Sequence, residues 1–512
     1  MPFEDGSYRS RMIGGLNASP DSGPDKPTAI LLELNVLFPG GLRAVKREFF
    51  ALWTSEPQRW TDAPPAPDDA DADVPRGLAV VTAKLYQCVL TRRQLQALMT
   101  QDRRAAAEQH RPLIIFKAWP DYPLHPQIDR SAPTVKADAA WRSYNARGRG
   151  VAWAVIDSGI DGCHPHFSAL ELGAAARDQD PPQGRTAGLH QDFTSLVRLP
   201  GDPPADKPAP LTDEQGHGTH VAGIIAGETP AGRVAHVAAS DEPLNGGYVQ
   251  RLRVGTLSGM APDCELVSLK VLRRTRQGTF ITSSAAVIRA LDYLRTEVNL
   301  DPNVLRVHGV NISLGCDWDP EHYAAGQSPL SQAVNQLVDA GVVVVISSGN
   351  GGGGVNAKSD STAMLGTITE PAHAEKCVAV GSTHREAPHV FGVSWTSGKG
   401  PTLDGRLKPD VVAPGEWITS AATGLVRTRA ALDSLADDDP ERLLTYAEQS
   451  GTSMAAPHVS GVIAAFLSAR PEFIGRPREV KHLLMTTATD IGRERYAQGS
   501  GVVDLMRMLA SA

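Results

Sequence analysis

Three stretches of this chain place reactive side chains where backbone geometry can put them to use. Ala154-Val155-Ile156-Asp157-Ser158-Gly159-Ile160-Asp161 is an apolar strand that runs into a carboxylate. An Asp there stands at the carboxyl edge of a sheet, where open α/β sheets gather their ligands. Alone, an Asp after a strand is more often a turn or helix-capping residue. Gly216-His217-Gly218-Thr219-His220-Val221-Ala222-Gly223 sets a His at the start of a helix whose small residues allow close packing. His217 and His220 could also be read as a metal pair. The zincin pattern, however, needs a Glu beside the first His and a wider His spacing, and neither is present. Gly451-Thr452-Ser453-Met454-Ala455-Ala456-Pro457-His458 opens a further helix at Ser453. Free backbone N–H groups and the positive end of the helix dipole meet at such a position, so it can hold an oxyanion. Taken alone, an N-cap serine is the plainer reading. Pro457 falls inside that helix and removes a ladder bond, a broken local rule of the kind found beside functional residues.

In the order Asp, His, Ser, these motifs resemble those of the subtilases, the subtilisin-like serine peptidases, and the likeness extends over roughly residues 130–510. The resemblance implies peptide-bond hydrolysis through an acyl-enzyme, with Ser453 as nucleophile, His217 as general base and Asp157 as the carboxylate behind it. A serine hydroxyl is a poor nucleophile until a positioned base takes its proton. The base in turn needs a carboxylate to fix its tautomer and stabilise the imidazolium. A fourth match follows the apolar run 342–347, where Ser348-Gly349-Asn350-Gly351 is similar to the family's strand ending in Gly-Asn. That implies Asn350 as the side-chain donor of the oxyanion hole, beside the backbone N–H of Ser453. Ser313, Leu314 and Gly315 look like the wall of the first specificity pocket, with Gly278, Thr279 and Phe280 as the opposite edge. An extended peptide between them would add as a strand. The glycine run 351–354 is expected to loosen the pocket wall. The family fold is a three-layer α/β architecture around a mostly parallel sheet.

Other readings fit less well. A sedolisin would carry Glu in place of His217, and an α/β-hydrolase orders its Ser before the Asp and His. The alternative from another class is a non-catalytic, peptide-binding or regulatory pseudoprotease. Segment 228–256 departs from the family and has no ligand run for a structural calcium, so neither cofactor nor metal is expected. Residues 425–446 look like a second insertion, and Cys163 is read as a partly buried structural thiol.

Positioning these side chains takes a parallel sheet, and its elements are visible. Apolar runs at 151–156, 266–271, 307–312, 342–347 and 377–380 alternate with helical spacing at 283–293 and 331–340. Continuous apolar strands separated by helices indicate a parallel sheet covered on both faces. Ahead of it, 29–36, 78–90 and 113–119 read as strands, and 42–53 and 91–104 as helices, the second capped by Thr91. Residues 27–120 therefore form a small α+β domain, ferredoxin-like, which resembles a subtilisin propeptide. That likeness implies an inhibitory domain whose C-terminal tail, 117–131, enters the cleft. Residues 1–26 read as a polar leader and 54–76 as a Pro/Asp/Ala loop whose Asp spacing fits no EF-hand. Residues 121–149 are a linker leading into the peptidase domain, 150–512.

Composition bounds the rest. The 512 residues are 41% hydrophobic and 21% charged, a globular balance. A net charge of −7 and a pI near 6.1 argue against a nucleic-acid partner, which would select a basic face. No apolar run approaches the roughly 20 residues that span a bilayer, and the first residues lack a signal's apolar stretch. No membrane partner is expected. Five scattered cysteines without a CxxC make neither a disulfide framework nor a zinc ribbon. The missing signal and the unpaired cysteines point to a cytoplasmic location; the resemblance adds an enzyme acting on polypeptides, restrained by a regulatory protein partner or by its own N-terminal domain.

Overall fold

The computed structural model describes residues 28–55, 74–120, 131–172, 186, 188–197, 209–233, 235–240, 248–253, 257–301, 304–316, 324–355, 361–433 and 445–512. The expected leader, most of the 54–76 loop and most of the 117–131 tail lie outside the described residues. The chain divides into two compact units, Met1–Leu124 and His125–Ala512.

The first unit runs β1 (Thr28–Leu34), α1 (Gly41–Thr54), β2 (Ala79–Thr82), β3 (Leu85–Leu90), α2 (Arg92–Glu108) and β4 (Ile115–Pro120). Its sheet has the order β2-β3-β1-β4, antiparallel throughout. The run 78–90 is not one strand. It folds back at Ala83-Lys84 into a hairpin, because its outer half must pair with its inner half rather than outrun β1. The result is the β-α-β-β-α-β order of ferredoxin-like folds. Thr91 does cap α2, in a reciprocal capping box with Gln94. Alternate strand residues, among them Ile30, Leu32, Tyr86 and Cys88, bury against Phe49, Leu95 and Leu98 of the helices.

The second unit is built on seven strands: β5 (Ala152–Asp157), β6 (Gln191–Asp192), β7 (Glu265–Lys270), β8 (Gly309–Ile312), β9 (Val343–Ser347), β10 (Val378–Thr383) and β11 (Val411–Pro414). They lie in the order β11-β10-β9-β8-β5-β7-β6, every neighbouring pair parallel. Strand β5 is buried at all six positions, as apolar strands covered on both faces must be. Trp153 and Val155 join one core, with α3 (His217–Ile225), α6 (Thr452–Ala469) and α7 (Pro477–Thr487). Ala154 and Ile156 join the other, with α4 (Ser284–Tyr293) and α5 (Pro329–Asp339). That is a three-layer α/β/α fold, and the two-residue period turns Asp157 toward the α3 side. Helix α6 is apolar all round and long enough by composition to cross a membrane, yet 83% of it is buried inside the fold, which marks it as a core helix.

A second, four-stranded sheet was not foreseen. It pairs Ile418–Ala421, Tyr446–Gln449, Ala235–Ser240 and Tyr248–Arg253 in that order. The two stretches that depart from the family pattern thus meet in one element. It braces α3 from behind: Ser420 Oγ donates to the His220 carbonyl (2.7 Å), and His220 Nε2 pairs with the Ala447 carbonyl (3.0 Å).

Candidate active site

Strand register sets the site. Asp157 lies level with Lys270, and Ile156 with Ile312 and in turn Ile346, so β5, β7, β8 and β9 end at one carboxyl edge. The segments that carry Asp157, Gly278–Phe280, Ser313–Gly315 and Asn350 all leave from that edge, as the ligand rule for open sheets requires.

Asp157 is fully buried. Its Oδ1 accepts the Ser158 N–H (2.8 Å), and the carboxylate takes His217 Nδ1 at 2.8 and 3.0 Å. A carboxylate only accepts, so Nδ1 carries the proton and Nε2 keeps a free lone pair. The His217 side chain is 22% exposed, enough for that nitrogen to be reached. Burial by itself would lower the imidazole pKa. The charge and hydrogen bond of Asp157, with the charge of Asp213, outweigh it and hold His217 above its ordinary value.

His217 is the first residue of α3, behind Gly216 in the left-handed region (φ 95°). Gly218 lets the helix lie flush on the end of β5: a Cβ there would come 2.3 Å from the Gly159 carbonyl oxygen. Asp213 completes this corner and was not singled out from the sequence. It is buried, and its carboxylate accepts the N–H groups of Gln215 (3.1 Å), Gly216 (2.8 Å) and Thr219 (2.9 Å) and the Thr219 hydroxyl (2.7 Å). Burial raises its pKa, with these hydrogen bonds pulling the other way. The available signal was an Asp just ahead of a helix start, the ordinary place for a capping carboxylate. His220 faces away from His217 into the second sheet. Among the described residues no group of three or more His, Cys, Asp or Glu could hold a metal ion.

Ser453 is the second residue of α6, behind Gly451 at φ 150°, ψ 167°, a conformation essentially reserved for glycine. Its carbonyl would normally accept from residue 457, but Pro457 has no N–H. Ser313 fills the gap: its Oγ donates to the Ser453 carbonyl at 2.9 Å, while Ser453 Oγ donates to the Ser313 carbonyl at 3.1 Å. Asn311 Nδ2 donates to Ser313 Oγ, and Ser460 Oγ to Asn311 Oδ1, both at 2.9 Å. The expected pocket residue Ser313 is therefore buried as a clamp between β8 and α6. The Ser453 hydroxyl is turned to Ser313 and makes no hydrogen bond to His217.

Asn350 stands just past β9. Its Oδ1 accepts both the N–H and the hydroxyl of Thr452, each at 3.0 Å. With the oxygen held, the amide nitrogen is the end left to donate. Leu314 is half-buried against the second core, and Gly315 is exposed. Gly278, Thr279 and Phe280 form part of a ribbon in which Arg273–Arg274 pairs with Phe280–Ile281. They lie one strand beyond Asp157 and make no hydrogen bond to Asp157, His217 or Ser453.

Two expectations need correction. The 351–354 run does not loosen the wall. A Cβ at Gly352 would sit 1.7 Å from the Ser397 carbonyl oxygen, and at Gly353 2.6 Å from the Trp395 ring. The Lys399 ammonium ties the carbonyls of Gly352, Trp395 and Ser397 together (3.0, 2.8 and 3.2 Å). At Gly352 and Gly353 a side chain would collide with these neighbours, whereas Gly351 has room for one. Cys163 is exposed rather than partly buried.

Comparison with known proteins agrees with this geometry. The sequence model described as the subtilase family matches residues 148–502. The chain is 30% identical to the serine protease AprX of Bacillus subtilis over 344 residues, 66% of this chain and 61% of AprX. It is 30% identical to pyrolysin of Pyrococcus furiosus over 330 residues, 58% of this chain and 21% of pyrolysin. Against subtilisin Savinase of Lederbergia lenta the figures are 28% over 370 residues, 72% of this chain and 94% of Savinase. The chain thus spans less than two thirds of AprX and of pyrolysin.

Proposed function

The chain belongs to the subtilase family, and from that premise we propose that it is a serine endopeptidase that works through Asp157, His217 and Ser453. The observation that carries the reading is His217 Nδ1 held 2.8 Å from the buried Asp157 carboxylate, on the sheet edge where α6 presents Ser453.

In this reading a bound peptide draws the Ser453 hydroxyl away from Ser313 by a turn about its Cα–Cβ bond. His217 Nε2 takes the proton as Oγ bonds to the scissile carbonyl carbon. The new oxyanion is met by Asn350 Nδ2 and the Ser453 N–H. His217 then gives its proton to the departing amine as the C–N bond breaks. Water, deprotonated by the same nitrogen, releases the acyl group. No step calls for a metal or cofactor. Substrates are polypeptides, taken as an added strand between 313–315 and 278–280.

The ferredoxin-like first unit is read as the enzyme's own restraint, removed by a cut within 117–131, and tethering would make a modest intrinsic affinity sufficient. A regulatory protein partner could trigger that removal. The five cysteines, all free thiols, support a reducing, cytoplasmic setting. The non-catalytic reading draws on one observation, the Ser453 hydroxyl held by Ser313.

One experiment separates these. The full chain is incubated with an internally quenched peptide and followed by intact mass, beside Ser453→Ala. Hydrolysis and a cut within 117–131 in the wild type alone are expected. No hydrolysis, even by a chain starting at Ile128, would establish the non-catalytic reading.

A further inference from the structure

Beside the nucleophile, two walls stand with a short segment between them. The first wall is 313–315, whose Ser313 carbonyl lies 3.1 Å from Ser453 Oγ. The second is Ser348-Gly349, which ends at the oxyanion donor Asn350. Thr369 and Glu370 run between the walls and are bonded to both. Thr369 N–H donates to the Ser348 carbonyl (3.1 Å), Cys316 N–H to the Glu370 carbonyl (2.9 Å), and Glu370 N–H to the Cys316 carbonyl (3.1 Å). The Thr369 side chain occupies the gap. A Cβ on Gly315 would lie 2.6 Å from Thr369 Oγ1, and a Cβ on Gly349 2.7 Å from its Cγ2. A β-branched side chain has little χ1 freedom, and here both branches are held between backbones, so it cannot swing aside. Its Oγ1 is buried and has no hydrogen-bond partner, an unmet demand that a protein interior seldom leaves.

We propose that Thr369 floors the pocket for the residue whose carbonyl Ser453 attacks and restricts that residue to a small side chain, alanine or serine. The inference rests on the peptidase reading above and adds the substrate class. The side chain of the attacked residue enters the nearest gap, between 314–315 and 349, and that gap is shallow. Alanine fits above the threonine methyl. Serine, close to alanine in size, fits there too. Phenylalanine would have to displace a floor hydrogen-bonded on both sides.

The test uses three internally quenched peptides that differ only in the residue before the scissile bond: Ala, Ser or Phe. The wild type should prefer Ala and Ser to Phe by at least about tenfold in kcat/KM, the discrimination a few methylenes provide in a fitted pocket. Thr369→Gly should raise the Phe:Ala ratio at least about tenfold, and Thr369→Ala should move it the same way by less, which covers the case in which the glycine variant does not fold. Thr369→Val, of equal size, should keep the ratio within about threefold. Equal cleavage of Phe and Ala by the wild type, or a ratio indifferent to both shortened variants, overturns this proposal alone. Failure to cleave any of the three peptides overturns the peptidase reading with it.

Discussion

Pro457 and Ser313 illustrate how the site is assembled residue by residue. The proline cannot bond the Ser453 carbonyl, and Ser313 supplies the donor that frees the turn at Ser453 from the regular ladder. Ser313→Ala should leave that carbonyl unmet and destabilise the fold by about 1–3 kcal/mol, read as a lower thermal midpoint; an unchanged midpoint would dismiss the clamp. Asn350→Ala should lower kcat by about 10²–10³ with the fold intact, the typical loss of an oxyanion donor. The pH profile follows from His217. In the proposed mechanism it serves as base only when neutral, and its pKa is raised, so kcat/KM should climb through a limb above about pH 6.5. Asp157→Asn should shift that limb downward, and a limb that stays in place would detach it from His217. The residues of the proposed triad and Asn350 could be singled out from the sequence because each sits in a contiguous motif. Asp213 and Thr369 were not. Their importance lies in what folding sets against them, the start of α3 for one and two distant glycines for the other.

At the scale of elements, helices are held hard against strand ends. Gly218→Ala would push a methyl to 2.3 Å from the Gly159 carbonyl oxygen, backbone that cannot give way, so α3 and His217 should shift together. Loss of at least tenfold in kcat is expected, with a destabilisation of about 1–3 kcal/mol typical of overpacking; near-normal turnover would mean that the helix does not fix the base. Five of the seven strands of the parallel sheet were legible because burial on both faces makes them unbroken apolar runs; the edge strands β6 and β11 were not. The second sheet was not. Its strands are of ordinary composition, and Tyr446 finds its partner Val237 from far along the chain, a pairing that no local pattern encodes. The hairpin at Ala83-Lys84 escaped for the opposite reason: apolar residues continue on both sides of a two-residue turn.

Across the whole molecule, several histidines are buried neutral. Burial lowers His166 and His220 to about 3 and His458 to about 4, against about 6.5 in an unfolded chain. A depressed folded-state pKa means that the unfolded chain binds the extra protons. Their contribution to stability is therefore whole above about pH 6.5 and is lost as the pH falls toward 4. The thermal midpoint should drop steadily over that interval; a flat midpoint would show that these rings are not sealed in. The central claim, that Ser453 is a nucleophile activated by His217, is tested most directly by a fluorophosphonate probe and peptide mapping. The predicted result is one adduct, on Ser453, absent in Ser453→Ala and strongly reduced in His217→Ala. An unlabelled Ser453 in a folded protein freed of its first unit, or peptide hydrolysis that persists in Ser453→Ala, would contradict it.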